Sequence, residues 1–143
     1  MKGLLLLSVI LISPPIRTGG NTTSVDPNGL DRLLDAIAAV ESRNDPGVAG
    51  DGGRALGPYQ IHRAYWADAT RFLGVDWSYS DARNPVKARE AVRAYLLHYG
   101  RGRSMMEMAR IHNGGPNGHK KAITVEYARR ISAALRGTTA ARQ

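Results

Sequence analysis

Two carboxylic acids, Glu41 and Asp51, lie close together in the sequence in very different surroundings. Glu41 closes a stripe of apolar residues at helical spacing, on or beside the face that a helix would bury. A carboxyl shielded from water tends to keep its proton, and the general acid of a glycosidase needs a proton held near neutral pH. Glu41 could instead be a boundary glutamate that turns to solvent or caps an amide. Its position alone favours that second interpretation.

Asp51 lies in a glycine-rich segment, residues 47–57, where the composition indicates tight turns. A carboxylate on such a polar loop stays ionised, so it could attack or stabilise a developing oxocarbenium ion opposite a helix-borne acid. Asp-Gly is also an ordinary turn sequence, and by itself it is a weak indication of catalysis.

Aromatic and amide side chains that could line a sugar-binding cleft follow the two acids. Rings stack on pyranose faces, and amides bond hydroxyl or acetamido groups. The residues with these properties are Tyr59, Gln60, Tyr65, Trp66, His112, Asn113 and Tyr127. Tyr65 and Trp66 are adjacent on a predicted helix and point in different directions, so at least one of them is expected in the core.

Other chemistries find no support in the residue pattern. The chain has no cysteine, which excludes a disulfide framework, a thiolate metal site and a cysteine nucleophile. The histidines lack the helical pairing of a metal site. The glycine-rich run 114–118 follows a helix instead of opening one after a strand, which indicates a turn and not a phosphate loop. We therefore expect no metal and no cofactor.

The elements that must position these residues are mainly helices. The predicted helices run from Asp26-Pro27 to the break at Asn44-Asp45-Pro46, over 61–73, from Asn84-Pro85 to Gly100, from the Ser104 capping box to about His112, and from near Thr124 to Leu135 with Gly137 as the stop. The glycine-rich segment between the first two predicts a small irregular hairpin.

The N-terminal segment has the order of an export signal, with Lys2 followed by an apolar run over 4–12 that is short for a membrane span. No clear cleavage site follows, so an uncleaved anchor is the alternative, and a buried N-terminal element is another. We predict a signal or anchor at 1–20, a linker at 21–28, a catalytic domain at 29–137 and a flexible tail at 138–143. The expected location is secreted, periplasmic or in the cell envelope.

The formal net charge of +8 favours polyanionic partners such as nucleic acid, anionic lipid or cell-wall polymers. The basic residues are dispersed along the chain, which argues against a nucleic-acid-binding face. We expect a monomer that binds no nucleic acid and contacts membranes only through its N-terminal segment.

Three segments taken together resemble the invertebrate-type lysozyme (destabilase) family. They are 40–42, then 57–61 with 64–69, and 109–118, in the family's order across roughly residues 30–135. The resemblance implies a lysozyme-like α+β fold, mostly helical with a small sheet between the first two helices. It also implies hydrolysis of the β-1,4 bond between N-acetylmuramic acid and N-acetylglucosamine in peptidoglycan. It identifies Glu41 as the acid and Asp51 as the second carboxylate, with Asp45 as a nearby competitor.

The chain departs from the family in lacking disulfides, since Leu56 and His119 stand where cysteines would be expected. The same segments resemble, more loosely, the soluble lytic transglycosylases, which use one glutamate, no second carboxylate, and release anhydro sugars. A non-catalytic wall-binding module is a further alternative. We predict a retaining muramidase that binds peptidoglycan glycan strands. The predicted glycan-binding residues are Tyr59, Gln60, His112, Asn113 and Tyr127.

Overall fold

The computed structural model describes residues 27–140 of the chain, and their side chains over 28–137. Five helices and three two-residue strands follow one another as α1 (Pro27–Ser42), β1 (Ala49–Gly50), β2 (Ala55–Leu56), β3 (Ile61–His62), α2 (Arg63–Leu73), α3 (Pro85–Tyr99), α4 (Met105–Gly114) and α5 (Val125–Ala140). Short 3-10 turns fill Asp51–Gly53, Tyr79–Arg83, Gly118–Lys120 and Ala122–Thr124. The predicted mainly helical α+β fold is confirmed.

The strands form one antiparallel sheet in the order β1-β2-β3, between α1 and α2 as predicted. Leu56 pairs with both Ala49 and Ile61, so each turn of the sheet is tight. Gly57, which follows β2, has φ +73°, and a Cβ placed there would lie 2.0 Å from the backbone oxygen of Ala82. Glycine is therefore required at the point where the sheet meets the Tyr79–Arg83 turn.

Helix α1 packs against α3, α4 and α5. Its apolar stripe is fully buried at Leu33, Leu34 and Ile37. The other helices each contribute buried apolar side chains to the same core, chiefly Trp66, Ala69, Val92, Leu96, Met108, Ile111 and Ile131. Because the stripe runs toward the last turn of α1, the helix carries Glu41 to the boundary of this core.

An ion-pair cluster joins α1 to α3 and consists of Asp31, Asp35, Arg89 and Arg93. The Arg89 guanidinium contacts Asp31 at 2.8 Å and Asp35 at 2.7 Å, and Arg93 also contacts Asp31. The four side chains are a third to a half exposed, so water screens each pair and each contributes little to stability. They link the two helices without a covalent bond.

The predicted helix starts at Asn84 and Ser104 are confirmed. The Asn84 side chain accepts two backbone N–H groups at the start of α3, and Ser104 forms a reciprocal capping box with Glu107. Two boundaries are wrong. Ile61 belongs to β3, because pairing with β2 extends its backbone. Helix α5 continues to Ala140, beyond the stop predicted at Gly137. One glycine costs a helix only about 1 kcal/mol.

The prediction for residues 1–20 and most of the predicted linker lie outside the described residues. Among the residues that are described, no helix combines the length and apolar character needed to cross a bilayer.

Candidate active site

A cavity of about 290 Å³ opens where the end of α1, the sheet and α4 meet. Its walls are formed by Glu41, Asp51, Ala55, Gln60, His62, His112 and Asn113. Five of the predicted site residues are therefore brought together, although they come from three separate parts of the sequence.

Glu41 lies in the last turn of α1, and its side chain is 20% exposed. Burial raises the pKa of its carboxyl, and the charge of Asp51 raises it further, against opposing effects of Tyr127, Arg130 and His62. The next residue fixes this helix end, because the Ser42 hydroxyl donates to the backbone oxygen of Pro58 at 2.9 Å. Glu41 therefore holds a proton at a pH where an exposed glutamate is ionised.

His112 forms the wall behind Glu41, with its Nε2 atom 3.7 Å from Glu41 Oε1. Nε2 lies 3.2 Å from the backbone oxygen of Tyr59, and Nδ1 lies 3.1 Å from the Tyr65 hydroxyl. A carbonyl can only accept, so Nε2 carries the hydrogen and Nδ1 accepts from Tyr65. Burial lowers the pKa of His112 to about 4. The ring is therefore neutral near neutral pH and adds no positive charge that would ionise Glu41.

Two residues predicted to bind glycan have another place in the structure. The His112 side chain is 4% exposed and both ring nitrogens are occupied, so it supports the wall of the cavity and offers no free polar atom to a sugar. Tyr59 is 3% exposed and does not line the cavity. Its hydroxyl accepts from Arg89 at 3.2 Å instead, on the α3 side. Both positions are set by long-range packing that the sequence pattern does not reveal.

Tyr127, on α5, lies behind the acid and not in the cavity wall. It is 3% exposed, and its hydroxyl forms no hydrogen bond of ordinary geometry within the described residues. The hydroxyl nevertheless interacts with the Glu41 carboxyl, because that contact lowers the pKa of Glu41. Burial and the neighbouring Glu41 carboxyl raise the pKa of Tyr127.

Asp51 faces the cavity from the short turn after β1, with its side chain 58% exposed. Its Oδ2 atom lies 2.9 Å from Nε2 of His62, the last residue of β3. Asp45 does not line the cavity, because its carboxylate folds back onto the amide of Gly47 at 2.8 Å. The structure thus brings Asp51, and not Asp45, to the same cavity as Glu41.

His62 is a site residue that the sequence pattern did not reveal. The predicted helix over 61–73 obscured it, because pairing with β2 places His62 in a strand beside Asp51. Gln60 is held by its amide nitrogen, which donates to the backbone oxygens of Gly57 at 2.9 Å and Val48 at 3.3 Å. Asn113, at the end of α4, is exposed where it lines the cavity.

The chemistry of the cavity is that of a paired-carboxyl site. One carboxyl is sheltered and inclined to keep its proton, and the other is exposed beside an imidazole. The described residues contain no group of three or more side chains that could hold a metal ion.

Comparison with known proteins identifies the relatives of this chain. The destabilase family model matches residues 31–134. Lysozyme 1 of Crassostrea virginica is 41% identical over 83 residues, which are 55% of this chain but only 44% of that protein. The lysozyme of Ostrea edulis is 34% identical over 89% of this chain and 90% of its own length, and that of Meretrix lusoria is 35% identical over 70% and 85%.

A solved structure shares the fold. It is the crystal structure of Aeromonas hydrophila PliI in complex with Meretrix lusoria lysozyme, matched with a TM-score of 0.60 and 33% identity over 70% of this chain and 85% of the matched one. The family model covers almost the whole described domain, and the family inferred from the sequence is confirmed. This chain therefore belongs to the destabilase family of invertebrate-type lysozymes.

Proposed function

We propose that this chain is a muramidase that hydrolyses the β-1,4 bond between N-acetylmuramic acid and N-acetylglucosamine in peptidoglycan, with Glu41 as its general acid. The family and the lysozyme names of its relatives confirm the prediction of a lysozyme-like glycosidase. One observation supports the assignment of the acid above all others. The Glu41 carboxyl is largely buried in the wall of a cavity, with its pKa raised by that burial.

The two carboxyls would act in sequence on a glycan strand lying in the cavity. Glu41 donates its proton to the glycosidic oxygen, which breaks the bond and releases the leaving sugar with a free hydroxyl. Ionised Asp51 attacks or stabilises the positive anomeric carbon. Glu41, now ionised, accepts a proton from the water that completes hydrolysis and is thereby restored.

The remaining residues would orient the strand and the acids. Gln60 and Asn113, which both line the cavity, would bond glycan groups there. His62 orients Asp51, and His112 holds the wall beside Glu41 without adding charge. Tyr127 acts through Glu41, not on the sugar.

Substitution of Glu41 tests the assignment directly. Glu41→Gln keeps the size of the side chain but cannot donate the proton, so we expect kcat on purified peptidoglycan to fall about a hundred- to ten-thousandfold. Asp45→Asn is the matched control, because it removes a nearby carboxylate that lies outside the cavity. Lysis by a correctly folded Glu41→Gln variant would remove Glu41 from the proposed role.

Asp51 distinguishes hydrolysis from transglycosylation. We expect Asp51→Asn to lower kcat by several orders of magnitude if the carboxylate attacks or stabilises the anomeric carbon. Mass spectrometry of the released fragments gives an independent answer, because an anhydro-muramyl end is one water lighter than a hydrolysed end. Anhydro products together with an active Asp51→Asn variant would identify a lytic transglycosylase.

Residues 1–20 are proposed to direct export, which would bring the enzyme to its substrate in the cell envelope or outside the cell. Expression of the full chain, followed by mass measurement of the exported protein, tests this. A cleaved signal shortens the protein at its N-terminus, whereas an anchor leaves it intact and membrane-bound. Protein retained inside the cell would contradict the proposal.

A further inference from the structure

A second cavity, of about 360 Å³, adjoins the active site and shares His62 with it. Its walls are formed by Gly53, Arg54, His62, Arg63, Ala64 and Tyr79. We call it the cationic cavity. Because His62 lines both spaces, a polymer bound in the active site would pass directly beside the second one.

Tyr79 holds the two arginines of the cationic cavity in place. Its hydroxyl lies 2.7 Å from the backbone oxygen of Arg54 and 2.8 Å from that of Ile61. The Arg63 guanidinium lies over the Tyr79 ring, 4.5 Å from its centroid. Arg54 is held in addition by its Nε atom, which donates to the backbone oxygen of Asp51 at 2.9 Å. These contacts orient both guanidinium groups without neutralising either charge.

The charge of the cavity is uncompensated. None of its six lining residues is acidic, and the nearby Asp51 carboxylate is engaged by His62. Within the described part of the chain, neither Arg54 nor Arg63 forms an ion pair. Five other arginines do, namely Arg71, Arg89, Arg93, Arg103 and Arg129. Two oriented guanidinium groups without a carboxylate partner suit an anion supplied by a ligand.

We infer that the cationic cavity binds carboxylates of the stem peptide attached to the muramic acid unit in the active site. This inference rests on the proposed function, since the glycan must lie in the active site for its peptide to reach the neighbouring cavity. Planar guanidinium groups match carboxylates in geometry and charge. The enzyme would therefore recognise the stem peptide as well as the sugar backbone.

The test compares three forms of one glycan: stem peptides with free carboxyls, the same peptides with amidated carboxyls, and the glycan with its peptides removed. We expect wild-type kcat/KM to be about five- to tenfold higher on the first form than on the other two, with the advantage shrinking as salt is added. The double variant Arg54→Gln/Arg63→Gln should lose the advantage. Arg101→Gln, an exposed arginine outside both cavities, should keep it.

Binding measurements separate this inference from the proposed function. Calorimetric titration of short glycan fragments into wild-type protein makes the same comparison without turnover. The inference is overturned if the double variant still prefers free carboxyls. It is also overturned if the wild type has the same affinity and kcat/KM for the three forms, even when it cuts all of them. Absence of cleavage on every form contradicts the proposed function instead. If melting shows that the double variant is unfolded, Arg63→Gln alone replaces it and must reduce the preference.

Discussion

The buried histidine behind the acid should make the protein sensitive to acid in a defined pH range. Burial lowers the pKa of His112 from 6.5 to about 4 in the folded protein. Between these values the unfolded chain binds a proton at residue 112 and the folded chain does not. The contribution of His112 to the free energy of unfolding is therefore fully present above pH 6.5 and is lost as the pH falls toward 4. At about 1.4 kcal/mol per pKa unit, the free energy of unfolding should fall by about 3 kcal/mol.

Urea denaturation at several pH values between 7 and 4 measures this loss. Glu41 complicates the measurement, because its pKa is raised in the folded state. A carboxyl of that kind stabilises the fold at low pH and loses its contribution as the pH rises, which opposes the effect of His112. The experiment is therefore best done in Glu41→Gln, where the opposing group is absent.

The matched comparison is Glu41→Gln with and without His112→Gln. The second substitution lowers stability at every pH, since Tyr65 and Tyr59 lose a ring partner, but it should flatten the slope between pH 6.5 and 4. Other acids contribute equally to both proteins and cancel in the difference. Equal slopes in the two proteins would show that His112 is not the source of the acid sensitivity.

Three further substitutions follow from the structure. Tyr127→Phe removes a buried hydroxyl that interacts with the Glu41 carboxyl, so the free energy of unfolding should change by about 1 kcal/mol. The alkaline limb of the pH–activity curve should move to higher pH, because Glu41 loses the interaction with Tyr127 that lowers its pKa. His62→Gln should lower kcat in steady-state assays while KM and Tm stay nearly constant, because the imidazole orients the second carboxylate. Gly57→Ala should cost about 3 kcal/mol in denaturation experiments, since its positive φ is combined with a clash against backbone. Gly74→Ala, with a similar φ but open space around it, should cost less.

Local signals account for what the sequence predicted well about the fold. Asn84 and Ser104 were identifiable as caps because a cap depends on residues within one turn of helix. The end of α5 was not predictable in the same way. Glycine often ends a helix, but Gly137 has no positive φ, and α5 continues through it. The start of α2 was also misjudged, because the pairing of Ile61 depends on a strand elsewhere in the chain.

In the active site, too, the features set by nearby sequence were predictable and those set by distant contacts were not. Glu41 could be located from its position at the end of an apolar stripe, and the structure adds the burial that raises its pKa. The surroundings of His112 could not be read from its neighbours in sequence, because both of its partners come from a segment about fifty residues away. The direction of the Tyr59 hydroxyl could not be predicted for the same reason, since its partner Arg89 lies on α3.

The ion-pair cluster between α1 and α3 bears on how the protein recovers from heat. A chain without cysteine has no thiols that could rearrange into wrong bridges while it is unfolded. Charge pairs such as Arg89 with Asp35 re-form without an oxidant, and the cost of dehydrating them falls as temperature rises. We therefore expect the activity recovered after heating and cooling to be the same with and without a reducing agent.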